Sequence, residues 1–390
     1  MKIALVLSSP PAYSETFFRS KIKGLQESGH KVVLITAATS ETFERCKHYY
    51  HPKVAKNVWV QLLQFLVVGL SLLPFCGRVV RYIRLERKEG TTLKRCIEKT
   101  YLNATLLKLK VDWLHFGFAT MSIDRELVAK AIGAKMAVSF RGFDITTYPL
   151  KHANAYQLLW KRVDKVHSIS KFLLAKAYTL GLSKETPYQV ITPAVSIQST
   201  SQLSQTKTNK TIQLITVARL HYIKGIDTLL QTASILKKNK IDFIWKVAGT
   251  GPQKDTERYL YHRYQLKLEE DVLFIGKRSH QDTLQAIAQS DLYIQTSIME
   301  GFCNAVLEAQ AFGTISIAFN TGGLPENISD TKTGFLVEEI SADALASKII
   351  SVLSFKPEEK AIIIKQAKDR VRKEFNIEKQ QQEFIDFYQK

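Results

Sequence analysis

The chain has 390 residues, 45% of them hydrophobic and 23% charged, with 10 prolines, which excludes fibrous and disordered classes and is long enough for two cores, so two domains are expected. The net charge of +19 is uneven: residues 1–200 hold 30 Lys and Arg against 13 Asp and Glu, whereas residues 201–390 hold 25 against 23. A basic half points to a polyanion or an anionic membrane surface, and the lack of zinc-finger, RNP-type or helix-turn-helix patterns and of interleaved aromatics disfavours nucleic acid.

The chain opens with MKIALVLSSP, an apolar run too short for a signal peptide that reads as a buried first strand. Short apolar, β-branched runs then alternate with longer amphipathic stretches, the pattern of βαβ units and parallel sheets. In the first half the expected strands are residues 2–7, 31–36, 113–116, 136–140, 165–169 and 188–191. One segment stands apart. Residues 58–88 hold about 18 largely apolar residues, bordering on a membrane span, followed by Arg78, Arg81, Arg84, Arg87 and Lys88. An interfacial helix whose basic residues meet anionic headgroups is preferred; a buried helix and a true span stay open. Cys46, Cys76, Cys96 and Cys303 form no C-x-x-C pair and read as reduced cytosolic thiols.

Residues 196–210, SIQSTSQLSQTKTNK, have the composition of a linker. Beyond it the expected strands are residues 212–217, 243–247, 272–275, 292–295, 314–318 and 334–337. Two doubly wound α/β domains of Rossmann-like type follow, facing each other across a cleft onto which the carboxyl ends of the strands open.

The strongest chemical signal is Glu300-Gly301-Phe302-Cys303-Asn304 leading to Glu308, with Gly313 as the helix C-cap. A helix start offers backbone N–H groups and a positive dipole end to a diphosphate or sugar, and the two carboxylates can accept bonds from sugar and ribose hydroxyls. Taken alone, two glutamates at this spacing are as readily a solvated helix face. Arg219 and Lys224, five residues apart on one strand-to-helix loop, form a diphosphate clamp that can neutralise charge on a leaving group. Gly249 and Gly251 follow the next strand and permit close approach of a ligand to the backbone. Lys277 and Arg278 end a further strand, and Thr321–Glu326 makes a tight turn after another.

These motifs resemble those of family 4 retaining glycosyltransferases with the two-Rossmann GT-B fold, over nearly the whole chain. Residues 11–17, 29–32 and 112–117 are most similar to enzymes of bacterial exopolysaccharide and capsule assembly. The resemblance implies that Arg219 and Lys224 bind diphosphate, Glu300 orients the donor sugar, Glu308 holds ribose and residues 301–304 supply backbone amides. It implies an acceptor-binding domain at 1–195, the linker at 196–210, a nucleotide-sugar domain at 211–373 and a C-terminal helix, 374–390, that returns to the first domain. Glu15, Thr16 and Asp144 are acceptor-side candidates; Ser14, Glu15 and Thr16 stand where the family often has glycines. Arg141 stands where many relatives carry histidine; as a permanent cation it can only stabilise negative charge. His115 is the neutral imidazole candidate for the chemistry. No metal or cofactor is expected, because the cations replace a metal and the departing diphosphate takes the acceptor proton. The expected partners are a nucleotide-sugar donor, a lipid-linked or oligosaccharide acceptor and an anionic membrane, with the protein peripheral at the inner face of the cytoplasmic membrane. Another enzyme on this fold, such as an epimerase or phosphorylase, and a catalytically silent partner of a membrane complex are the alternatives.

Overall fold

The computed structural model describes residues 1–11, 16–39, 43–196 and 211–389. Glu15 and most of the 196–210 segment lie outside the described residues; Thr16 opens α1 (Thr16–Glu27), but its side chain is not described. The chain divides into two compact units, Met1–Ile191 with Gln381–Lys390, and Thr192–Gln380.

Among the described residues, unit 1 is built on a seven-stranded sheet of β1 (Lys2–Val6), β2 (Lys31–Thr36), β3 (Lys47–Tyr50), β4 (Trp113–Phe116), β5 (Lys135–Phe140), β6 (Lys165–Ser168) and β7 (Tyr188–Val190), in the order β3-β2-β1-β4-β5-β6-β7. Every pairing is parallel. Parallel strands covered by helices on both faces need near-continuous apolar runs, and β1, β2, β4 and β5 are buried almost throughout. The edge strand β3, KHYY, is missing from the sequence reading. An edge needs no apolar face and is protected by charge, so the segment carries no hydrophobic pattern, and Tyr49 and Tyr50 remain exposed.

Unit 2 holds β8 (Ile212–Val217), β9 (Phe243–Ala248), β10 (Val272–Gly276), β11 (Leu292–Gln295), β12 (Ile315–Phe319) and β13 (Phe335–Val337), in the order β10-β9-β8-β11-β12-β13. All are parallel. In each sheet the order reverses beside the first strand, between β1 and β4 and between β8 and β11. Such a switch point opens a crevice at the carboxyl ends of the strands, because the crossovers on either side leave in opposite directions.

The apolar segment forms α2 (Val58–Leu72), a short 3-10 turn at Leu73–Phe75 that contains Pro74, and α3 (Cys76–Lys88), which packs on α4 (Leu93–Leu102). Asn57 caps α2 by accepting from the Trp59 and Val60 amides. The buried-helix reading is overturned: Trp59 is 80% exposed, Leu63 62% and Leu66 60%, and within α2 only Leu72 is buried. The expectation that the α3 arginines face headgroups is corrected in part. Arg78 donates to the Leu107 and Leu109 carbonyls (3.2 and 2.6 Å), Arg81 to Ala131 O (3.3 Å) and Arg87 to Thr91 O (3.0 Å). Those guanidiniums satisfy backbone carbonyls at helix ends and in the adjoining loops and fasten α3, as does the buried Lys99–Glu86 pair at 2.8 Å.

The C-terminal helix Ile377–Gln389 passes from unit 2 into unit 1, where Phe384, Phe387 and Tyr388 are buried. Lys165 Nζ donates to Phe387 O (2.7 Å), and Tyr388 Oη lies 2.6 Å from His115 Nδ1. A buried polar line continues from His115 Nε2 to Ser139 Oγ (2.8 Å), to His167 Nδ1 (2.8 Å), and from His167 Nε2 to Ile191 O (3.0 Å). His115 is therefore corrected: it is fully buried and engaged on both ring nitrogens, a tether of the C-terminal helix and not an open strand-end base. Burial first, then the charge of Lys21, pushes its pKa well below the usual imidazole value, and His167 is lowered by the same causes. Lys21, 3.3 Å from His115 Nδ1, is itself lowered by burial and then by Arg141.

Because both imidazole values are depressed in the fold, the unfolded chain takes up protons first as pH drops through about 6.5, so the network's contribution is complete above that value and lost below it. Lys21 adds a slope of the same sign starting from about 10.5. The thermal unfolding midpoint is expected to fall as pH is lowered from about 7.5 to about 5.5; a midpoint that rises over this range contradicts buried neutral histidines.

Candidate active site

At the switch point of unit 2 the loops after β8 and β11 are sewn together. After β8, Ala218 N–H donates to Ala248 O (3.0 Å) and Leu220 N–H to Thr250 O (3.1 Å), leaving Arg219 exposed between two anchored residues. A 3-10 turn, Tyr222–Lys224, then leads through Gly225 into the helix Ile226–Lys238. The loop after β11 binds this turn: Thr296 Oγ1 donates to Lys224 O (2.8 Å) and Ile298 N–H to Ile223 O (3.0 Å). Lys224 Nζ and Glu300 Oε2 consequently meet in an ion pair whose side chains are 16% and 14% exposed.

Behind Glu300 runs a line of hydrogen bonds that the sequence reading missed. Tyr293 Oη donates to Gln295 Oε1 (2.5 Å), Gln295 Nε2 to Ser297 Oγ (2.7 Å), and Ser297 Oγ to Glu300 Oε2 (3.1 Å). Each member donates forward, so the line ends on a carboxylate held as an acceptor. Tyr293, Gln295 and Ser297 alternate along β11 and its extension, the only sequence signal for them being their period of two. Cys303 Sγ lies 3.5 Å from Gln295 Oε1. Burial, then the charge of Glu300, pushes this thiol up to about 12, so it stays protonated and is no nucleophile.

The helix Asn304–Phe312 starts at Cys303 and ends at Gly313 in the left-handed region, φ 81°. The expected run of amides at 301–304 is corrected at one position. Cys303 N–H donates to Asn327 Oδ1 (2.9 Å) while Asn327 Nδ2 donates to Cys303 O (3.0 Å), a reciprocal clamp that commits this amide. Gly301, Phe302 and Asn304 remain the candidates; the Phe302 ring packs 5.8 Å from Phe375 and Asn304 is exposed. The turn beneath is fixed by Gly323 N–H donating to Glu300 O (2.8 Å) and by Arg370, which donates to the Glu326 and Asn327 carbonyls at 2.7 Å each.

Glu308 lies on the helix's second turn, 17% exposed, and pairs with His280 Nε2 at 2.8 Å. That contact, also unforeseen, joins Glu308 to the helix His280–Ala288, which begins just after the exposed Lys277 and Arg278. The hydrogen bond to Glu308 is the main cause that raises the His280 pKa. Gly249 and Gly251 are corrected in role. A Cβ on Gly249 (φ 142°) would stand 2.0 Å from Ala218 O, and one on Gly251 2.1 Å from Leu220 O. Their close approach is to the neighbouring Arg219 loop, so they hold loops together more than they open a path to a ligand.

In unit 1, Asp144 is fully buried and accepts from the amides of Ala119 (3.1 Å), Arg141 (3.1 Å) and Gly142 (2.9 Å). It anchors its own turn and is no acceptor contact. Burial raises its carboxyl while those N–H groups pull it down. Arg141, at the carboxyl end of β5, is partly exposed and sits over the rings of Phe17 (4.4 Å), Phe18 (4.6 Å) and Phe118 (5.4 Å). Stacking over ring faces stabilises a guanidinium and fixes its plane.

Two parallel-sheet α/β units, the second with cations and carboxylates gathered at its switch point, make up a fold of the GT-B type. Residues 198–370 match the family described as Glycosyl transferases group 1. WcaL of Escherichia coli, assigned to colanic acid biosynthesis as a glycosyltransferase, is 26% identical over 397 residues, covering 96% of each chain. The amylovoran biosynthesis glycosyltransferase AmsK of Erwinia amylovora is 23% identical over 397 residues with the same coverage. Among solved structures, Anabaena Alr3699/HepE in complex with UDP and glucose aligns over 99% of this chain and 98% of its own with a TM-score of 0.72 at 16% identity. Sucrose-phosphate synthase from Thermosynechococcus elongatus aligns over 100% and 98% with a TM-score of 0.75 at 17% identity.

Proposed function

We propose that the chain is a retaining, metal-independent hexosyltransferase that moves a sugar from a nucleotide-diphosphate donor to a lipid-linked, anionic acceptor in the assembly of a cell-surface polysaccharide. The observation that carries the donor half is the Lys224–Glu300 pair at the β8/β11 switch point, flanked by exposed Arg219. Without a donor each charge satisfies the other. Breaking such a pair leaves two costly charges, unless a ligand supplies an anion to Lys224 and hydroxyl donors to Glu300 at once. A sugar diphosphate does both. Arg219 and Lys224 then stabilise the charge that grows on the leaving diphosphate, which takes the proton of the attacking hydroxyl on the same face of the sugar. Glu308 is assigned to the ribose, with His280 holding it in place. The full burial of His115 and Asp144 supports a mechanism without a side-chain base, and Arg141 is assigned to the negative charge of the acceptor.

The polysaccharide setting rests on likeness to WcaL and AmsK, whose names place them in colanic acid and amylovoran biosynthesis. The membrane setting rests on the segment Val58–Lys88, 31 residues, long and apolar enough by length and composition to cross a membrane. Its fixed attachments favour lying on the surface: Leu72 is buried, Gln61 Oε1 accepts from the Ala55 amide (2.7 Å), Lys108 Nζ donates to Ser71 Oγ (2.7 Å), and Arg78 is tied to two carbonyls. A helix apolar all round and left exposed requires an apolar neighbour, and the basic first half suits the inner face of the cytoplasmic membrane.

Arg219→Ala and Lys224→Ala are each expected to lower kcat by about 10²-fold or more with the fold intact by circular dichroism, and turnover is expected to persist in EDTA. Full activity in either variant, or a strict need for a divalent ion, removes the assignment. In flotation with anionic liposomes the protein is expected to rise with the vesicles and to be released in part as salt is increased; a protein that stays at the bottom regardless of salt does not work at the membrane.

A further inference from the structure

Unit 1 contains an apolar cavity of about 200 Å³ bounded by α2, α3 and α4. Its wall is formed by Phe65, Val68 and Gly69 of α2, Ile83 of α3, and Ile97 and Tyr101 of α4. The polar atoms on that wall are spent elsewhere. Thr100 Oγ1 donates to Cys96 O (2.7 Å), and Tyr101 Oη donates to Lys53 O (2.5 Å), while the Tyr101 ring stacks on Phe65 at 4.2 Å. The groove therefore offers carbon to whatever enters. An apolar cavity of about 150 Å³ holds benzene, so this one accommodates a somewhat larger branched hydrocarbon segment.

Gly69 keeps the groove open. It interrupts a helix otherwise made of Val, Leu, Phe, Trp and Gln with a single Ser, at a cost of about 0.5–1 kcal/mol relative to alanine, and a Cβ built there meets no atom within 4 Å. No backbone crowding demands a glycine; what the missing side chain provides is room on the wall of the cavity.

The occupant follows from the surroundings. The exposed face of α2 carries Trp59, Leu62, Leu63, Leu66 and Val67, so the groove adjoins an apolar surface and not a water-facing one. At the far end of α2, beside the groove residue Leu72, Lys108 Nζ sits 2.7 Å from Ser71 Oγ, and on the helix that follows the exposed Arg84 stands next to the groove residue Ile83, with the exposed Lys88 one turn further on. A second copy of the chain would bring a net charge of +19 against +19, which opposes self-association through this face. An apolar slot with Lys108 at one end and Arg84 and Lys88 on a bordering helix fits an anion with a hydrocarbon tail.

We propose that this groove is an acceptor subsite that takes one hydrocarbon chain of an anionic lipid-linked acceptor out of the bilayer. The inference rests on the membrane and lipid-acceptor reading above and adds to it the place where the chain is held, distinct from the exposed face of α2 that meets the bilayer.

The test uses farnesyl monophosphate as a soluble probe, measured by calorimetry on the full chain, with inorganic phosphate and farnesol as single-feature controls, beside flotation with anionic liposomes. Two groove-filling variants, Gly69→Leu and Ile97→Trp, are set against the surface pair Trp59→Ser with Leu63→Ser, all checked for folding by circular dichroism. The groove-filling variants are expected to weaken farnesyl phosphate by about ten-fold or more while floating as the unaltered protein does. The surface pair is expected to float poorly yet bind the probe unchanged, and inorganic phosphate alone to bind far more weakly. Unchanged probe affinity in both folded groove variants overturns the proposal, as does inorganic phosphate binding as tightly as the probe. So does a dimer, seen by sedimentation, that Gly69→Leu disperses, since the groove would then belong to a second copy. Failure of the unaltered protein to float, with probe binding still sensitive to Gly69→Leu, overturns the membrane reading and leaves the groove as a hydrocarbon site.

Discussion

The candidate site depends on one constraint, that Lys224 and Glu300 share charge at the point where the sheet of unit 2 changes direction. The pair does not stand by chance of side-chain length. The turn that carries Lys224 is bonded to the β11 loop through Thr296 and Ile298, Glu300's carbonyl is held by Gly323, and its carboxylate ends the line from Tyr293. A carboxylate and an ammonium fixed in this way, both largely enclosed, are pre-organised for a ligand that satisfies both at once. Breaking any of those loop contacts loosens the geometry before it changes the chemistry.

Unit 1 uses buried polarity for a different end. The line Tyr388–His115–Ser139–His167–Ile191 joins three strands to the C-terminal helix, and Lys21 lies in it with Phe384 4.4 Å from its ammonium. These residues bind the last segment of the chain to the first sheet. The second unit gathers its charged groups on the loops after β8 and β11, whereas the first unit draws its own into the sheet and seals them with the C-terminal helix.

Much of the fold was legible because parallel strands buried on both faces must be apolar and continuous; the runs at 2–7, 31–36, 212–217 and 292–295 left little choice. β3 was not, since an edge strand of Lys, His and Tyr obeys no such rule. That Lys224 and Glu300 come together was legible for a related reason: both lie on loops that follow strands of one parallel sheet, where such a sheet opens its crevice. What sequence could not give was direction. His115 also ends its strand, yet Tyr388, 273 residues away in the chain, closes over it. Asp144 looked like an open carboxylate, but three amides from its own turn and from Ala119 enclose it. Gly249 and Gly251 invited a ligand on paper, while the space beside them is filled by the next loop.

Titration of nucleoside diphosphates into Glu300→Gln tests the central claim most directly. If Glu300 holds Lys224 in reserve for the donor, removing its charge frees the ammonium for phosphate, so nucleoside diphosphate binding is unchanged or tighter while sugar transfer collapses. Loss of nucleoside diphosphate binding in that variant, or transfer that continues at the original rate, contradicts the account.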